Sequence, residues 1–296
     1  PDFLMTLRRF LDSRTVFVAF NYLFLTVLGL LCLFPLLHIL ALSFSSSAAA
    51  SAGQVKLWPV GFTTSAYEYA LSNEQFLRSL LTSFERVAVG VTVNMVLTVL
   101  VAYPLSKQFR GRAVYVWFFV ITMLFSGGLI PKYMVVQETG LLDTIWALVL
   151  PNAVPVFNMI LLLNFFRGIP KEFEEAAFVD GAGHWRVLWT VYLPLSKPAL
   201  ATIALFTVVF HWNSWFDGII YMNSPENYPL QSYLQTIVVE SDLSVRSPEE
   251  QALLREVSDR TFKAAQIFLA ALPVLAVYPF LQRYFVKGTT LGGIKG

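Results

Sequence analysis

In an apolar chain the side chains able to do chemistry stand out, and here they gather in two places. The run HWNSWFD (211–217) sets His211 six residues before Asp217, with Trp212, Asn213 and Trp215 between them. An acid and an imidazole at membrane depth suit three tasks: coupling an ion to transport, acid–base catalysis at the interface, or lining a hydrophilic path. The second place is EEAAFVDGAG (174–183), where Glu174 and Glu175 precede two small alanines and Asp180 meets Gly181 and Gly183. The other candidates fall away. His38, His184 and His211 are scattered and offer no metal-ligand spacing, so no metal is expected. Cys32 is the single cysteine and excludes a disulfide framework. A phosphate-binding loop ends in Gly-Lys-Ser/Thr, and the dipeptide Gly-Lys is absent from the chain. An enzyme would need a convergent catalytic set, for which His211 and Asp217 alone are thin support.

The elements that position these residues follow from composition. Hydrophobic residues make up 56% of the 296 and charged residues 14%, against about 25% charged in soluble domains. Mean hydropathy is +0.61, so the bilayer is the natural solvent. A formal charge of +2 without a basic, aromatic-interleaved cluster excludes a nucleic-acid partner. Stretches free of Asp, Glu, Lys and Arg occur at 15–55, 87–106, 113–131, 144–166, 198–216 and 264–282. Each can hold one span of roughly 20 residues. This predicts an all-α integral membrane protein whose domain, 16–284, has six transmembrane helices at about 16–42, 85–106, 113–131, 144–166, 198–220 and 262–284. The Ser/Ala-rich tract 43–53 reads as a loop. The first apolar run is too long for a cleaved signal and lacks a small-residue cleavage site. No inverted repeat of the kind many secondary transporters use is evident.

Six spans put both termini (1–15 and 285–296) on one side. With that side cytoplasmic, 13 of the 21 Lys and Arg fall in cytoplasmic segments but only 6 of the 19 Asp and Glu. Short links rich in Lys and Arg stay inside, so the hairpin 167–197 is predicted to be cytoplasmic. The spans themselves are interrupted. Pro151, Pro155 and Asn158 fall within about 60° on a helix of 3.6 residues per turn, making one face of the fourth span broken and polar. Pro273 and Pro279 interrupt the sixth. Such features suit a bundle around a cavity, which makes Asn152, Asn158, Trp212, Asn213 and Asp217 the candidate pathway residues. The competing reading is packing, with amides as interhelical glue and tryptophans as an interfacial belt.

The hairpin has its own local logic. Pro170 suits a first helical position, and Glu172, Glu174 and Glu175 favour the positive end of the helix dipole. Phe173, Ala176 and Ala177 form a small apolar face. Gly181 and Gly183 permit a sharp break. Trp185, Leu188, Trp189 and Tyr192 give a second amphipathic helix, which Pro194 is expected to end. A plain connector lying on the membrane surface would need no more than this.

The spacing adds more. Glu175-Ala176-Ala177, then Gly181, then Val191, Leu193 and Pro194 resembles the cytoplasmic signature of the permeases of ATP-binding-cassette importers, with Val191 standing for Ile. The resemblance implies that the hairpin is a coupling helix docking on an ATPase, through Glu174, Glu175, Ala176, Ala177, Asp180, Gly181, Gly183, Leu193 and Pro194. It further implies two ATPase subunits that hold ATP and Mg, none being held by this chain. A second homologous permease, an extracytoplasmic solute-binding protein and a bacterial cytoplasmic membrane complete the assembly. The segments 125–183 and 193–231 resemble the carbohydrate branch, the maltose-type second permease, and within it permeases for oligouronates such as alginate fragments. By the same resemblance the outer loop 222–260 meets the binding protein through its first part: Asn223, Ser224, Pro225, Glu226, Asn227 and Tyr228. Pro225 and Pro229 would stiffen an extended tip. The acids Glu240, Asp242, Glu249, Glu250, Glu256 and Asp259 follow in the same loop. The expected function is the permease half of an ATP-driven sugar importer; an ion-coupled carrier or a membrane enzyme are the alternatives.

Overall fold

A computed structural model describes residues 13–239 and 259–292, with side chains to residue 237 and from 260 to 277 together with Pro279. The terminal segments 1–12 and 293–296, the acids Glu240, Asp242, Glu249, Glu250 and Glu256, and the side chains of 285–292 lie outside what is described. Among the described residues the regular structure is helical throughout. It divides into two units, one reaching Ser72 and resuming along the last helix as far as Leu269, the other running from Asn73 and resuming at Ala270.

The first unit holds α1 (Ser13–Ser43), α2 (Ser47–Ser51) and α3 (Ser65–Ser72). Residues 14–37 of α1 are exposed around the whole helix although almost all are apolar. A helix hydrophobic all round is stable only where apolar surroundings cover it, and α1 is long and apolar enough to cross a membrane. The expected loop at 43–53 is instead partly helical: the Ser46 side chain accepts from the Ala49 N–H at the N-cap of α2. Ala49 and Val55 then bury against Ala41. Alanines small enough for close packing convert what composition marks as a linker into a folded corner.

The second unit contains α4 (Glu74–Ser106), α5 (Arg112–Leu124), α6 (Leu129–Glu138), α7 (Ile145–Asn152, its last turn 3-10) and α8 (Val156–Arg167). It continues with α9 (Lys171–Val179), α10 (His184–Leu195), α11 (Lys197–Asn213), α12 (Phe216–Tyr221) and α13 (Leu230–Val239). The final helix, α14, spans Asp259–Gly292. Asn73 caps α4 by accepting from the Phe76 N–H at 2.8 Å, so the helix begins well before the predicted 85. Its buried positions include Ser79, Ser83, Arg86, Gly90, Asn94, Thr98 and Ala102, spaced by three or four residues. This is a seam of small and polar groups packed against α8 and α11, the inverse of a soluble amphipathic helix. Small residues let backbones approach where lipid gives helices no hydrophobic reason to associate. At Gly90 a Cβ would come within 2.5 Å of the His211 ring.

Three predicted spans are not single rods. Glu74–Ser106 is apolar and long enough to cross a bilayer, as are Arg14–Ser43 and Arg260–Val277; three further helix pairs pass that test only when taken together. At 13 residues, α5 is about 20 Å long at 1.5 Å per residue, short of the roughly 30 Å hydrocarbon core. The chain turns by 112° before α6, with Gly128 at φ +88° in the break. The α7–α8 pair bends by 50° where Pro155 withholds an N–H, and α10–α11 by 81° at Ser196. The predicted 198–220 helix is interrupted as well, at Ser214 and Trp215. Nor is 222–260 one long loop, since α13 occupies part of it and α14 begins at Asp259.

Candidate functional site

The hairpin opens with Pro170 at the N-cap, one residue outside α9, and Glu172 and Glu174 in the first turn. It ends in a Schellman cap. The Ala182 N–H donates to the Ala177 carbonyl and the Gly181 N–H to the Phe178 carbonyl, each at 3.0 Å, with Gly181 at φ +76°. Ala177 and Ala182, which flank the cap, pack against the buried cluster of the second unit. Its outward surface comprises Phe173, Glu175, Ala176, Phe178, Asp180 and Val179, the last 88% exposed. Gly183 is the N-cap of α10.

α10 departs from the predicted amphipathic face. Val187, Leu188 and Tyr192 are buried, but Trp185 and Trp189 are exposed. A π turn at Leu188–Tyr192 changes the angular step, so four residues spaced for one α-helical stripe no longer share it. Nor does Pro194 end the helix. It falls in the opening turn of the closing α-helical segment, where a missing N–H is tolerated; Leu193 is half-buried and Pro194 exposed.

Glu174 points inward. Its Oε1 lies 2.6 Å from Lys107 Nζ, and its Oε2 accepts from the Tyr192 hydroxyl at 2.8 Å. Lys107 Nζ also donates to that hydroxyl at 2.6 Å, and the Tyr103 hydroxyl donates to the His184 carbonyl at 3.1 Å. The end of α4 is thereby fastened to both hairpin helices. Burial raises the Glu174 carboxyl, but the hydrogen bonds from Lys107 and Tyr192 and the Lys107 charge outweigh it and hold it below its ordinary value. At Lys107 burial wins, bringing the ammonium below its usual range despite Glu174. The pair therefore contributes geometry more than net energy. A depressed carboxylate stabilises above its unfolded value, 4.5 for glutamate, and loses that contribution as pH falls through the folded one. Accordingly, the gap in Tm between the protein and Glu174→Gln should be present at pH 7 and close below pH 4.5. A gap independent of pH would deny the ionised carboxylate a role in stability.

The polar groups of the spans form a second site. Arg86 is fully buried and donates to both carboxylate oxygens of Asp217 and, at 3.2 Å, to the Ser214 carbonyl. The Gly218 N–H also donates to Asp217, at 2.9 Å. Two turns further along the seam, Asn94 Nδ2 donates to the carbonyls of Asn152 (2.6 Å) and Ala153 (2.9 Å), satisfying backbone freed by the α7–α8 break. His211 Nε2 lies 2.6 Å from Asn94 Oδ1. Asn158 Nδ2 donates to Thr207 Oγ1 at 3.3 Å, an interhelical tie.

Of the predicted pathway residues, Asn152 and Asn158 line a cavity of about 650 Å³. Asn152, Asn213 and Asp217 line a neighbouring one of about 480 Å³. Trp212 lines neither: it is buried, its indole N–H donating to the Ala270 carbonyl at 3.0 Å, so it is no belt residue. A search for charge-free stretches stops short of Arg86, which bounds the one beginning at 87, and passes over Asn94, an uncharged residue inside it. The signal was there in the three- and four-residue spacing of polar and small residues along an otherwise apolar helix.

On the other side of α12, the segment 223–228 is braced rather than extended. Pro225–Asn227 forms a 3-10 turn. Glu226 pairs with Arg78 at 2.6 Å, and Gln75 donates to the Pro225 carbonyl at 2.6 Å. Asp143, at φ +59°, accepts from the backbone of Asn223 and Ser224, the Ser224 hydroxyl and the Asn227 amide. These bonds, that from Asn227 foremost, outweigh its slight desolvation and hold its carboxyl below the ordinary range. Tyr228 follows the turn in extended conformation.

Comparison with known proteins gives a consistent result. Residues 95–291 match the family described as the inner membrane component of binding-protein-dependent transport systems. Protein LplC of Bacillus subtilis (strain 168) is 42% identical over 290 residues, covering 95% of each chain. The polygalacturonan/rhamnogalacturonan transport system permease protein YtcP of the same organism is 41% identical over 285 residues, 96% of this chain and all of that one. A chain in the crystal structure of a bacterial ABC transporter that imports the acidic polysaccharide alginate superposes with a TM-score of 0.87 at 37% identity, covering 93% of this chain and 98% of that chain.

Proposed function

The chain belongs to the inner-membrane components of binding-protein-dependent transport systems, and from that premise we propose that it moves an acidic oligosaccharide inward through a path shared with a second, homologous permease. It is the membrane-embedded permease subunit of a sugar ABC importer. Two ATPase subunits, which hold ATP and Mg, dock on the cytoplasmic hairpin, and a solute-binding protein delivers the sugar to the segment 223–228. Six spans, three of them broken, leave both termini in the cytoplasm. The acidic character of the cargo is drawn from YtcP and the alginate importer.

The observation on which the reading chiefly rests is the construction of the hairpin. Phe173, Phe178 and Val179 stand exposed beside a rigid Schellman cap, while Glu174 is fastened to Lys107 at the end of α4. A surface offered outward on a lever tied inward suits a part that is gripped and moved. Motion of the ATPase dimer would reach α4 through this joint and bias the bundle between inward- and outward-open states. The ion-coupled alternative loses support, since Asp217 is already paired with Arg86.

The test is reconstitution with the neighbouring subunits in liposomes. ATP hydrolysis should rise several-fold with sugar-loaded binding protein, and uptake should cease without ATP. With Cys32→Ser as background, Ala182→Cys should react with an impermeant thiol reagent only from the cytoplasmic side. Gradient-driven uptake without ATP, or labelling of position 182 from outside, would overturn the reading.

A further inference from the structure

The larger cavity has a chemistry not yet used. It is bounded by α5, α6, the α7–α8 break and α11, and its volume of about 650 Å³ lies in the range of roughly 300–1,000 Å³ usual for small-molecule sites. Phe157, Phe206 and Phe210 supply broad apolar faces. Asn152, whose side-chain amide bonds to nothing among the described residues, supplies hydrogen bonds. Lys132, on α6, is the one charged side chain among the described residues that line it. No described carboxylate pairs with it.

Lys132 is an exposed residue of α6 that lines the cavity beside the three phenylalanines, so its ammonium is open to a ligand entering there. The neighbouring cavity shares Asn152 and Phe210 and brings in one charge, that of Asp217. Arg86 compensates that charge. Summed over both cavities, the field is that of one uncompensated positive charge, which attracts an anion and would give nothing to a neutral sugar.

We propose that this cavity binds a uronate unit of the cargo, with the sugar carboxylate on Lys132, the hydroxyls on Asn152 and the ring's C–H face against the phenylalanines. The proposal rests on the acidic-oligosaccharide reading above and adds the residue that selects for acidity. A charge-assisted hydrogen bond to the carboxylate, formed only in the occupied cavity, discriminates acidic from neutral sugars.

The experiment uses the complete transporter in liposomes, with its binding protein and radiolabelled trigalacturonide. Lys132→Met should lower uptake about tenfold or more, the scale of one lost charge-assisted hydrogen bond. Lys132→Glu should lower it further, and Lys132→Arg should restore most of it. Basal ATPase activity, Tm and affinity for the loaded binding protein should stay at wild-type values in Lys132→Met. Uptake by Lys132→Met within twofold of wild type overturns the site while leaving the cargo reading intact. Parallel loss of basal ATPase activity or Tm, without rescue by Lys132→Arg, reduces Lys132 to a structural residue and likewise overturns it. If the wild-type transporter takes up no trigalacturonide, the cargo reading itself fails and the site falls with it.

Discussion

Asp217→Asn should destabilise the protein by roughly 3–5 kcal/mol, the usual result of removing one partner from a buried ion pair. The reason is the residue left behind. Arg86 is fully buried in α4, its guanidinium cannot shed its proton in a protein, and no other described carboxylate pairs with it. A neutral amide can accept one hydrogen bond but cannot balance the charge. Thermal unfolding in detergent should show the loss as a large fall in Tm and in the yield of folded protein. Arg86→Met combined with Asp217→Leu should recover most of the stability, because replacing both charges removes the desolvation cost together with the attraction. A single Asp217→Asn variant with wild-type Tm would mean that water reaches the pair and that the site is not dry. The double variant also separates stability from transport, since the cavity edge loses its acid in both.

The second large effect is expected at Gly181. Its φ of +76° lies where a side chain brings Cβ against the backbone, and a Cβ built there meets nothing else within 4 Å. The penalty for substitution is therefore conformational rather than a clash with neighbours. A left-handed residue with a Cβ costs about 1–2 kcal/mol, and β-branched residues fare worst. Gly181→Val should thus open the Schellman cap and reorient α9, lowering ATPase stimulation by the loaded binding protein about tenfold while Tm changes little. Gly181→Asn should keep most of the activity, because asparagine tolerates this region. Equal activity in the valine and asparagine variants would show that coupling does not depend on the shape of the turn. Equal loss in both would point to the glycine surface itself rather than to backbone geometry.

Much of this was legible in the chain because its causes are local. Charge-free windows and loop charges announce a membrane protein, and the pattern from Glu175 to Pro194 announces the hairpin. The glycine at position 181 follows from a requirement for positive φ that one short turn imposes. What the chain alone did not disclose depends on residues that meet only after folding. Arg86 and Asp217 are 131 positions apart, and nothing local to either says that they pair. Asn94 finds the carbonyls freed at the α7–α8 break, and the inward turn of Glu174 depends on where α4 ends. The break between α5 and α6 is marked by Gly127 and Gly128, yet the size of its bend, 112°, is not written in them. Trp185 and Trp189 face outward while Leu188 and Tyr192 are buried, on a helix whose π turn at Leu188–Tyr192 departs from any fixed period. Hydropathy and charge act over a few residues and so can be read in order; ion pairs, cavities and helix breaks are settled between distant segments, where only the tertiary structure brings the partners together.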